Sequence, residues 1–272
     1  MSPATRLSLI KHAVVVLSLL PAAELALRWQ MGRMGARPTT EALLWTGDWA
    51  VTFLLITLAI TPARALFDWP PLITLRRRLG LAAAGYAVLH VTLYVFDQKW
   101  NLVVVALEIL KRFYLTIGFA AVLIFIALSI TSTDGWQRKL RRNWKRLHYL
   151  VYPLAVLALI HFFLQSKANV SDAVMAAGLF LWLMLWRLLP RDIRNRPPVL
   201  IGLAIATPIL TVIVEALWYW GSKGVPPLRI VEASLDPLLF PRPAHIVLIA
   251  GLAVVAAALL VRIRLWRTAP GA

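Results

Sequence analysis

Three histidines of this chain, His90, His148 and His161, lie in hydrophobic runs that are long enough to cross a lipid bilayer. An ionisable side chain at membrane depth costs free energy, so its presence in such a run indicates a functional role. Histidine is a common axial ligand of haem iron. Two histidines at matched depth on neighbouring helices could hold a haem b inside the membrane, which is typical of proteins that carry electrons.

His90 and His161 are the two histidines whose depths agree. Their runs cross the membrane in the same direction, and each histidine lies toward the outer end of its run. His90 is 11 residues from the inner start of its run and His161 is 14, a difference of about 4–5 Å along a helix axis. We therefore predict that the two imidazoles bind one haem iron from opposite faces, in the outer half of the membrane.

His148 precedes His161 by 13 residues, which places it about 20 Å closer to the cytoplasmic face on an ideal helix. A second haem could bind at this depth. Its partner on the other helix would lie 13 residues before His90, and Arg77 occupies that position. A second haem would therefore need ligation from one side or an unusual partner. The alternative is that His148 is an interfacial residue beside a basic loop.

The helix of His90 is thinned by the small residues Gly80, Ala84 and Gly85. Small side chains allow close approach of another helix, and a flat macrocycle has the same requirement. This feature supports a cofactor site beside His90.

Arg77 and Arg78 belong to a basic cluster at the inner start of the same run. Anchoring at the cytoplasmic face is sufficient to explain such a cluster. A second role is open, because haem propionates and the headgroups of flavins and quinones are anionic or polar and pair well with arginine. His12 and His245 are expected to be headgroup or packing residues.

The composition indicates a membrane protein built from helices. Of the 272 residues, 60% are hydrophobic and 15% are charged, whereas about a quarter of a soluble domain is charged. The apolar residues form runs of 17–22 residues, close to the ~20 that a helix needs to cross the hydrocarbon core. They do not alternate as barrel strands do, so we predict an all-α bundle of membrane helices. The eight runs are 7–27, 49–66, 79–96, 113–131, 147–164, 173–189, 199–220 and 244–265.

Two further features of the composition narrow the chemistry. The chain has no cysteine, which excludes disulfides, covalently attached haem and cysteine-ligated iron–sulfur clusters. The formal net charge is +17, but the cations lie in loops between apolar runs. This distribution favours contact with anionic lipid headgroups, and no nucleic-acid-binding motif is present.

The lysines and arginines also predict the orientation. With the N-terminus in the cytoplasm, 19 of the 29 cations lie in inner segments, and the bias repeats at most turns. The first run has 21 residues, more than the ~7–15 of a signal-peptide apolar region, so we interpret it as an uncleaved helix. Eight spans then place both termini in the cytoplasm.

The dipeptide Pro197-Pro198 marks a predicted boundary. Residues 1–196 would form a six-helix haem-binding core with short loops. Residues 197–272 would add two membrane helices joined by a proline-rich outer loop. Because this tail brings no matched histidine, we expect it to be dispensable for haem binding.

Several motifs, in order and with similar spacing over residues 45–190, resemble those of the MsrQ (formerly YedZ) family. This family belongs with the ferric-reductase-like transmembrane proteins. The three histidines fall in register with its haem-ligand positions. The motifs are Thr57–Arg64, Arg77-Arg78-Leu79-Gly80-Leu81, Leu89-His90, Arg112-Phe113-Tyr114-Leu115-Thr116-Ile117-Gly118, Thr131-Ser132-Thr133, Arg138-Lys139-Leu140, Trp144, Leu147-His148 and Ile160-His161.

The resemblance implies a six-helix core in the bacterial inner membrane that holds haem b, one or two, and binds FMN. It implies that electrons come from quinol or from a cytoplasmic flavin reductase. They would pass to MsrP, a periplasmic molybdopterin enzyme that reduces methionine sulfoxide in oxidised proteins. Family members usually end near the sixth helix, so the two extra helices of this chain are a departure.

The residues and the resemblance agree on an electron-transfer subunit. With both axial positions filled, a haem would transfer electrons rather than bind oxygen, and the protein need not transform a substrate itself. A ferric-chelate reductase would keep the haem and change the acceptor. The competing class is a haem-free transporter, although neither paired broken helices nor an internal repeat is evident.

Overall fold

The computed structural model of the protein describes residues 2–167 and 169–267, and within these residues the regular secondary structure is entirely helical. This confirms the predicted all-α class. Two short 3-10 segments, Pro70–Leu75 and Pro237–Leu239, lie in connections. The α-helices are α1 (Pro3–Gln30), α2 (Pro38–Leu66), α3 (Arg76–Asp97), α4 (Leu102–Lys111), α5 (Phe113–Ile130), α6 (Asp134–Leu140), α7 (Arg142–His148), α8 (Val151–Gln165), α9 (Ser171–Leu188), α10 (Pro197–Lys223), α11 (Pro227–Leu235) and α12 (Pro243–Arg267).

Eight helical segments among the described residues are long and apolar enough to cross a membrane, and they match the eight predicted runs. The fifth span combines α7 and α8. The second span starts at Pro38, well before its predicted start at residue 49. It contains Pro62, which lies four residues before the last residue of α2.

The faces of α10 show how a span divides its surface between lipid and protein. Ile205, Ile209 and Ile213 repeat every four residues along one face and are exposed. The opposite face carries Ala204 and Thr207, which are fully buried. Exposed apolar side chains at this density require a hydrocarbon environment, so the chain is a multi-pass membrane protein.

The chain divides into two compact units. The first contains the residues up to Ile60 and Pro71–Gln165, and in it α5 packs on α8 while α3 packs on both α1 and α5. The second contains Thr61–Pro70 and the residues from Ser166 onward.

A tyrosine repairs a break in α1 of the first unit. Pro21 has no N–H and disturbs the helical hydrogen-bond ladder around it. The Tyr86 hydroxyl donates to the Ser18 carbonyl (2.9 Å) and accepts from the Ala22 N–H (2.9 Å). These two backbone groups would otherwise bond to each other in a regular helix. Tyr86 lies one turn before His90, so this contact fixes the histidine-bearing helix against α1.

The second unit is a tightly packed group of α9, α10 and α12. Any Cβ at Gly178 would clash with Thr211 and Val247, and one at Gly251 would come within 3.0 Å of the Ala204 backbone. These glycines therefore allow close helix approach. In its packing, α9 belongs with α10 and α12. The predicted boundary of the haem-binding core at residue 196 stays a prediction.

An ion pair lies inside the second unit. Arg242 Nη2 donates to Glu215 Oε1 over 2.6 Å, and the Glu215 side chain is 2% exposed. His245 donates from Nε2 to the Ser234 carbonyl and accepts from the Arg242 N–H through Nδ1. His245 is thus a packing residue, as expected from the sequence.

We expect Tyr86→Phe to destabilise the first unit, because Ser18 O and Ala22 N would lose their partner in a water-poor interior. A buried unsatisfied backbone group costs about 1–3 kcal/mol. Thermal unfolding of the purified protein in detergent measures the effect. Tyr149→Phe is the matched control, because the Tyr149 side chain is largely exposed. Equal stability of the two variants would contradict the bridging role of Tyr86.

Candidate functional site

The structure brings His90 of α3 and His161 of α8 together in the first unit. Their ring centroids are 6.2 Å apart and their planes are inclined at 87°. A ring nitrogen binds a metal at about 2 Å, so two imidazoles on opposite sides of one ion have ring centres about 6 Å apart. The observed centroid separation matches this value, and ligation of one ion by the pair stays a prediction.

A backbone carbonyl sets the tautomer of each ring. His90 Nδ1 donates to the Leu43 carbonyl over 2.8 Å, and His161 Nδ1 donates to the Tyr114 carbonyl over 2.8 Å. Because a carbonyl oxygen only accepts, each Nδ1 carries the proton and each Nε2 keeps its lone pair. A hydrogen bond of this kind orients a metal-binding histidine and raises its basicity.

The contacts of the Leu43 and Tyr114 carbonyls with the two histidines were not predicted from the sequence. Each carbonyl precedes its histidine by 47 residues. The equal spacing was visible in the sequence, but backbone carbonyls leave no residue-type signal. Only the antiparallel pairing of α2 with α3, and of α5 with α8, gives the spacing a meaning.

The donor set suits a haem better than a bare ion. Among the described residues no group of three or more His, Cys, Asp and Glu side chains could hold a metal ion. A haem brings four equatorial nitrogens and needs at most two axial ligands from the protein. Two neutral imidazoles with free Nε2 atoms fit that requirement.

A polar group lies next to His161 at the start of α5. The Tyr114 ring is 6.3 Å from the His161 ring. Arg112 pairs with Glu108 and donates from Nη1 to the Tyr114 hydroxyl over 3.3 Å. The hydrogen bond to Tyr114 and the nearby Glu108 raise the pKa of Arg112. These contacts join α4 to α5 and hold the residue whose carbonyl orients His161.

His148 lies apart from this pair, at the junction of α7 and α8. Its ring stacks on Trp144 with centroids 3.9 Å apart, and Nδ1 donates to the Trp144 carbonyl over 3.1 Å. Nε2 is 3.4 Å from Ser132 Oγ, at the long limit of a hydrogen bond. Its ligation of a second haem stays a prediction.

Arg77 and Arg78 make contacts at the start of α3. Arg77 Nη1 is 2.6 Å from Asp134 Oδ1, and this exposed ion pair links α3 to α6. Arg78 Nη1 is 3.4 Å from the Thr74 carbonyl. Both contacts suit anchoring of the span, and their predicted role toward a propionate, flavin or quinone stays a prediction.

The glycines that the sequence analysis singled out lie away from the imidazoles. A Cβ at Gly80 would make ordinary contact with Thr57 Cγ2 at 3.7 Å, and one at Gly85 would meet nothing within 4 Å. Neither glycine would therefore contact the histidine rings, and the predicted role of these small residues beside a macrocycle stays a prediction.

The histidine-bearing segments lie in the part of the chain that is similar to known proteins. Residues 46–159 match the family described as ferric reductase like transmembrane component. This interval contains His90 and His148 and ends two residues before His161. No solved structure matches the chain.

Curated relatives extend the match. The protein-methionine-sulfoxide reductase heme-binding subunit MsrQ of Xanthomonas oryzae pv. oryzae (strain MAFF 311018) is 46% identical over 162 residues, which cover 58% of this chain and 74% of the relative. The subunit of the same name from Rhodospirillum rubrum is 40% identical over 186 residues, covering 68% of this chain and 89% of the relative.

The contacts of His148 lead to a test. We expect His148→Ala to retain the spectrum of any haem held by His90 and His161, because the His148 ring packs on Trp144 rather than on that pair. The haem-to-protein ratio and the reduced absorption spectrum of the purified variant measure this. A partial loss of haem with an unchanged remaining spectrum would instead identify His148 as the ligand of a second haem. Trp144→Leu, which removes the stacking partner, separates loss of a ligand from loss of packing.

Proposed function

Because this chain belongs to the MsrQ family of ferric-reductase-like membrane proteins, we propose that it is a haem b electron-transfer subunit. It would carry electrons across the bacterial inner membrane to a periplasmic methionine sulfoxide reductase. The function as an electron carrier rests on one observation, which is the facing pair of imidazoles with ring centroids 6.2 Å apart.

The two histidines favour a role in electron transfer and not in substrate binding. Both Nε2 atoms are available as ligands, so His90 and His161 would occupy both axial positions and exclude oxygen or another ligand from the iron. Haem b would supply a one-electron carrier at this position. The backbone carbonyls of Leu43 and Tyr114 would keep the proton of each ring on Nδ1, so that Nε2 stays available as a ligand.

The proposed direction of transfer follows from the orientation. The cation distribution favours cytoplasmic termini, and with this orientation the histidine pair lies in the outer half of the membrane. A carrier at that depth suits delivery to a periplasmic acceptor. The family resemblance supports MsrP, a molybdopterin enzyme, as this acceptor, and repair of oxidised periplasmic proteins as the purpose.

The donor side of the proposal also rests on the resemblance. Electrons would come from the quinol pool or from a cytoplasmic flavin reductase, and FMN would bind to the chain. Arg77, Arg78 and the other cations at the inner ends of the spans supply positive charge that suits a flavin phosphate.

A second candidate is a transmembrane ferric-chelate reductase, which the description of the matching family favours. It would use the same histidine pair and a different acceptor. Purified protein reduced with dithionite and mixed with MsrP plus oxidised protein, or with a ferric chelate, separates the two. Faster haem reoxidation by the chelate than by the MsrP couple would favour ferric-chelate reduction.

We expect His90→Ala and His161→Ala each to lose haem or to convert it from low spin to high spin. Removal of either imidazole opens one axial position in a water-poor site. Absorption spectra of the purified variants and the rate of haem reoxidation by MsrP measure the loss. His245→Ala is the matched control, since its ring bonds only to the backbone of the second unit. A complete low-spin spectrum in both variants would show that the ligands lie elsewhere.

A chain that ends at Arg196 tests whether haem binding needs residues 197–272. Both histidines and both orienting carbonyls lie in the first unit, so we expect the shortened chain to keep its low-spin haem spectrum. Its stability should fall, because α9 loses its packing against α10 and α12. Spectra of membranes that contain equal amounts of the inserted full and shortened chains give the comparison. Loss of haem at equal insertion would show that residues 197–272 help to form the site.

A further inference from the structure

Two glycines lie beside the rings of the paired histidines. Gly47 and Gly118 occupy α2 and α5, opposite His90 and His161 respectively. Each glycine precedes its histidine by 43 residues and follows the orienting carbonyl, Leu43 or Tyr114, by four. The helix pairs α2–α3 and α5–α8 therefore hold their histidines in the same register, although the sequences around them differ.

The space at both positions is filled by an imidazole ring. A Cβ at Gly47 would lie 3.1 Å from His90 Nδ1 and 3.2 Å from Cε1. A Cβ at Gly118 would lie 2.7 Å from both Nδ1 and Cε1 of His161. At each position the three nearest atoms belong to the histidine ring, so no neighbouring helix backbone explains the glycine.

Other glycines of the chain show a different pattern. Gly251 would meet the Ala204 backbone, which is the usual reason for a small residue between membrane helices. Gly85 would meet nothing within 4 Å. Contact with a histidine ring is thus specific to Gly47 and Gly118 among the described glycines.

The geometry gives this contact a reason. In a helix, the side chain of a residue lies over the turn before it, and a residue four positions earlier is its neighbour on the same face. A side chain at Gly47 or Gly118 would therefore cover the carbonyl of Leu43 or Tyr114. The missing side chain allows the imidazole to lie against the helix and to reach that carbonyl at 2.8 Å.

We propose that Gly47 and Gly118 are positioning residues that seat the two axial imidazoles and set their planes nearly at right angles. This inference rests on the proposed haem function. Each seat fixes a ring in two ways: the carbonyl accepts from Nδ1, and the ring lies where a Cβ of the glycine would otherwise be. With both rings fixed, the 87° angle between their planes is a property of the protein and not of the cofactor.

The angle has a spectroscopic consequence. Ferric haem with perpendicular axial imidazoles gives a highly anisotropic low-spin electron paramagnetic resonance signal, and parallel imidazoles give a rhombic signal. The wild-type protein is expected to give the first type. A substitution that turns one ring should move the signal toward the rhombic type, which a purely structural defect would not do.

Alanine at either glycine tests the seat. Gly118→Ala should have the larger effect, because its Cβ would overlap the His161 ring, while Gly47→Ala requires the His90 ring to move only a few tenths of an ångström. We expect a lower haem-to-protein ratio and an altered ferric signal for Gly118→Ala, and an altered signal with nearly full occupancy for Gly47→Ala. Gly202→Ala in α10 of the second unit is the matched control, because its Cβ would meet nothing within 4 Å, and it should give the wild-type signal.

A second experiment separates the ring contact from general damage to α5. In His161→Gly, free imidazole should restore a low-spin haem, and this unattached ring can shift away from α5. Adding Gly118→Ala to His161→Gly should therefore change the imidazole-restored haem content far less than Gly118→Ala changes that of the wild type. An equal loss in both backgrounds would assign Gly118 to helix packing and overturn the proposal.

The remaining outcomes are equally distinct. Wild-type signals and occupancy in both Gly47→Ala and Gly118→Ala would overturn the seat but leave the haem function intact. A wild-type protein purified after expression with added haem precursor that shows no haem spectrum would overturn the proposed function itself. If Gly118→Ala lowers membrane insertion, Gly47→Ala decides the test, because its Cβ comes less close to the histidine ring.

Discussion

The two hydrogen bonds from imidazole Nδ1 to a helix carbonyl are the interactions on which the candidate site depends. They join α3 to α2 through Leu43, and α8 to α5 through Tyr114. In a membrane interior such a bond is not exchanged for one with water, so it holds the ring strongly in place. It also leaves Nε2 of each ring free, and therefore couples the packing of four helices to a single chemical property, which is the ability to ligate iron.

A second side chain of α3 also bonds to backbone groups of a neighbouring helix. Tyr86 bridges the Ser18 carbonyl and the Ala22 N–H where Pro21 disturbs α1. One turn later His90 uses the Leu43 carbonyl of α2. Because a bilayer offers no water to an unpaired backbone group, each helix defect must be satisfied by a neighbour. The defects of α1 therefore help to fix the helix that presents His90.

Hydrophobic run length and histidine depth were sufficient to predict the eight spans and the meeting of His90 with His161. Both are properties of single helices, which a sequence displays directly. Gly47 and Gly118 were not predicted, because their importance depends on which helix faces each histidine. Gly80 and Gly85 attracted attention by lying on the helix of His90, yet neither would contact its ring. The early start of α2 at Pro38 was missed because Glu41 and Asp48 interrupt its apolar pattern.

The equal spacing of carbonyl, glycine and histidine in the helix pairs α2–α3 and α5–α8 constrains which substitutions the site can accept. A glycine inside a helix is disfavoured relative to alanine by about 0.5–1 kcal/mol in water, so its presence at both positions needs a compensating gain. A side chain at either position would push the ring away from its carbonyl, by a few tenths of an ångström at Gly47 and by more at Gly118, and so weaken the hydrogen bond that fixes the tautomer. The site thus needs the two glycines and the two carbonyls as well as the histidines. Changing any one of them should alter the orientation of an imidazole more than it alters the packing of the rest of the first unit.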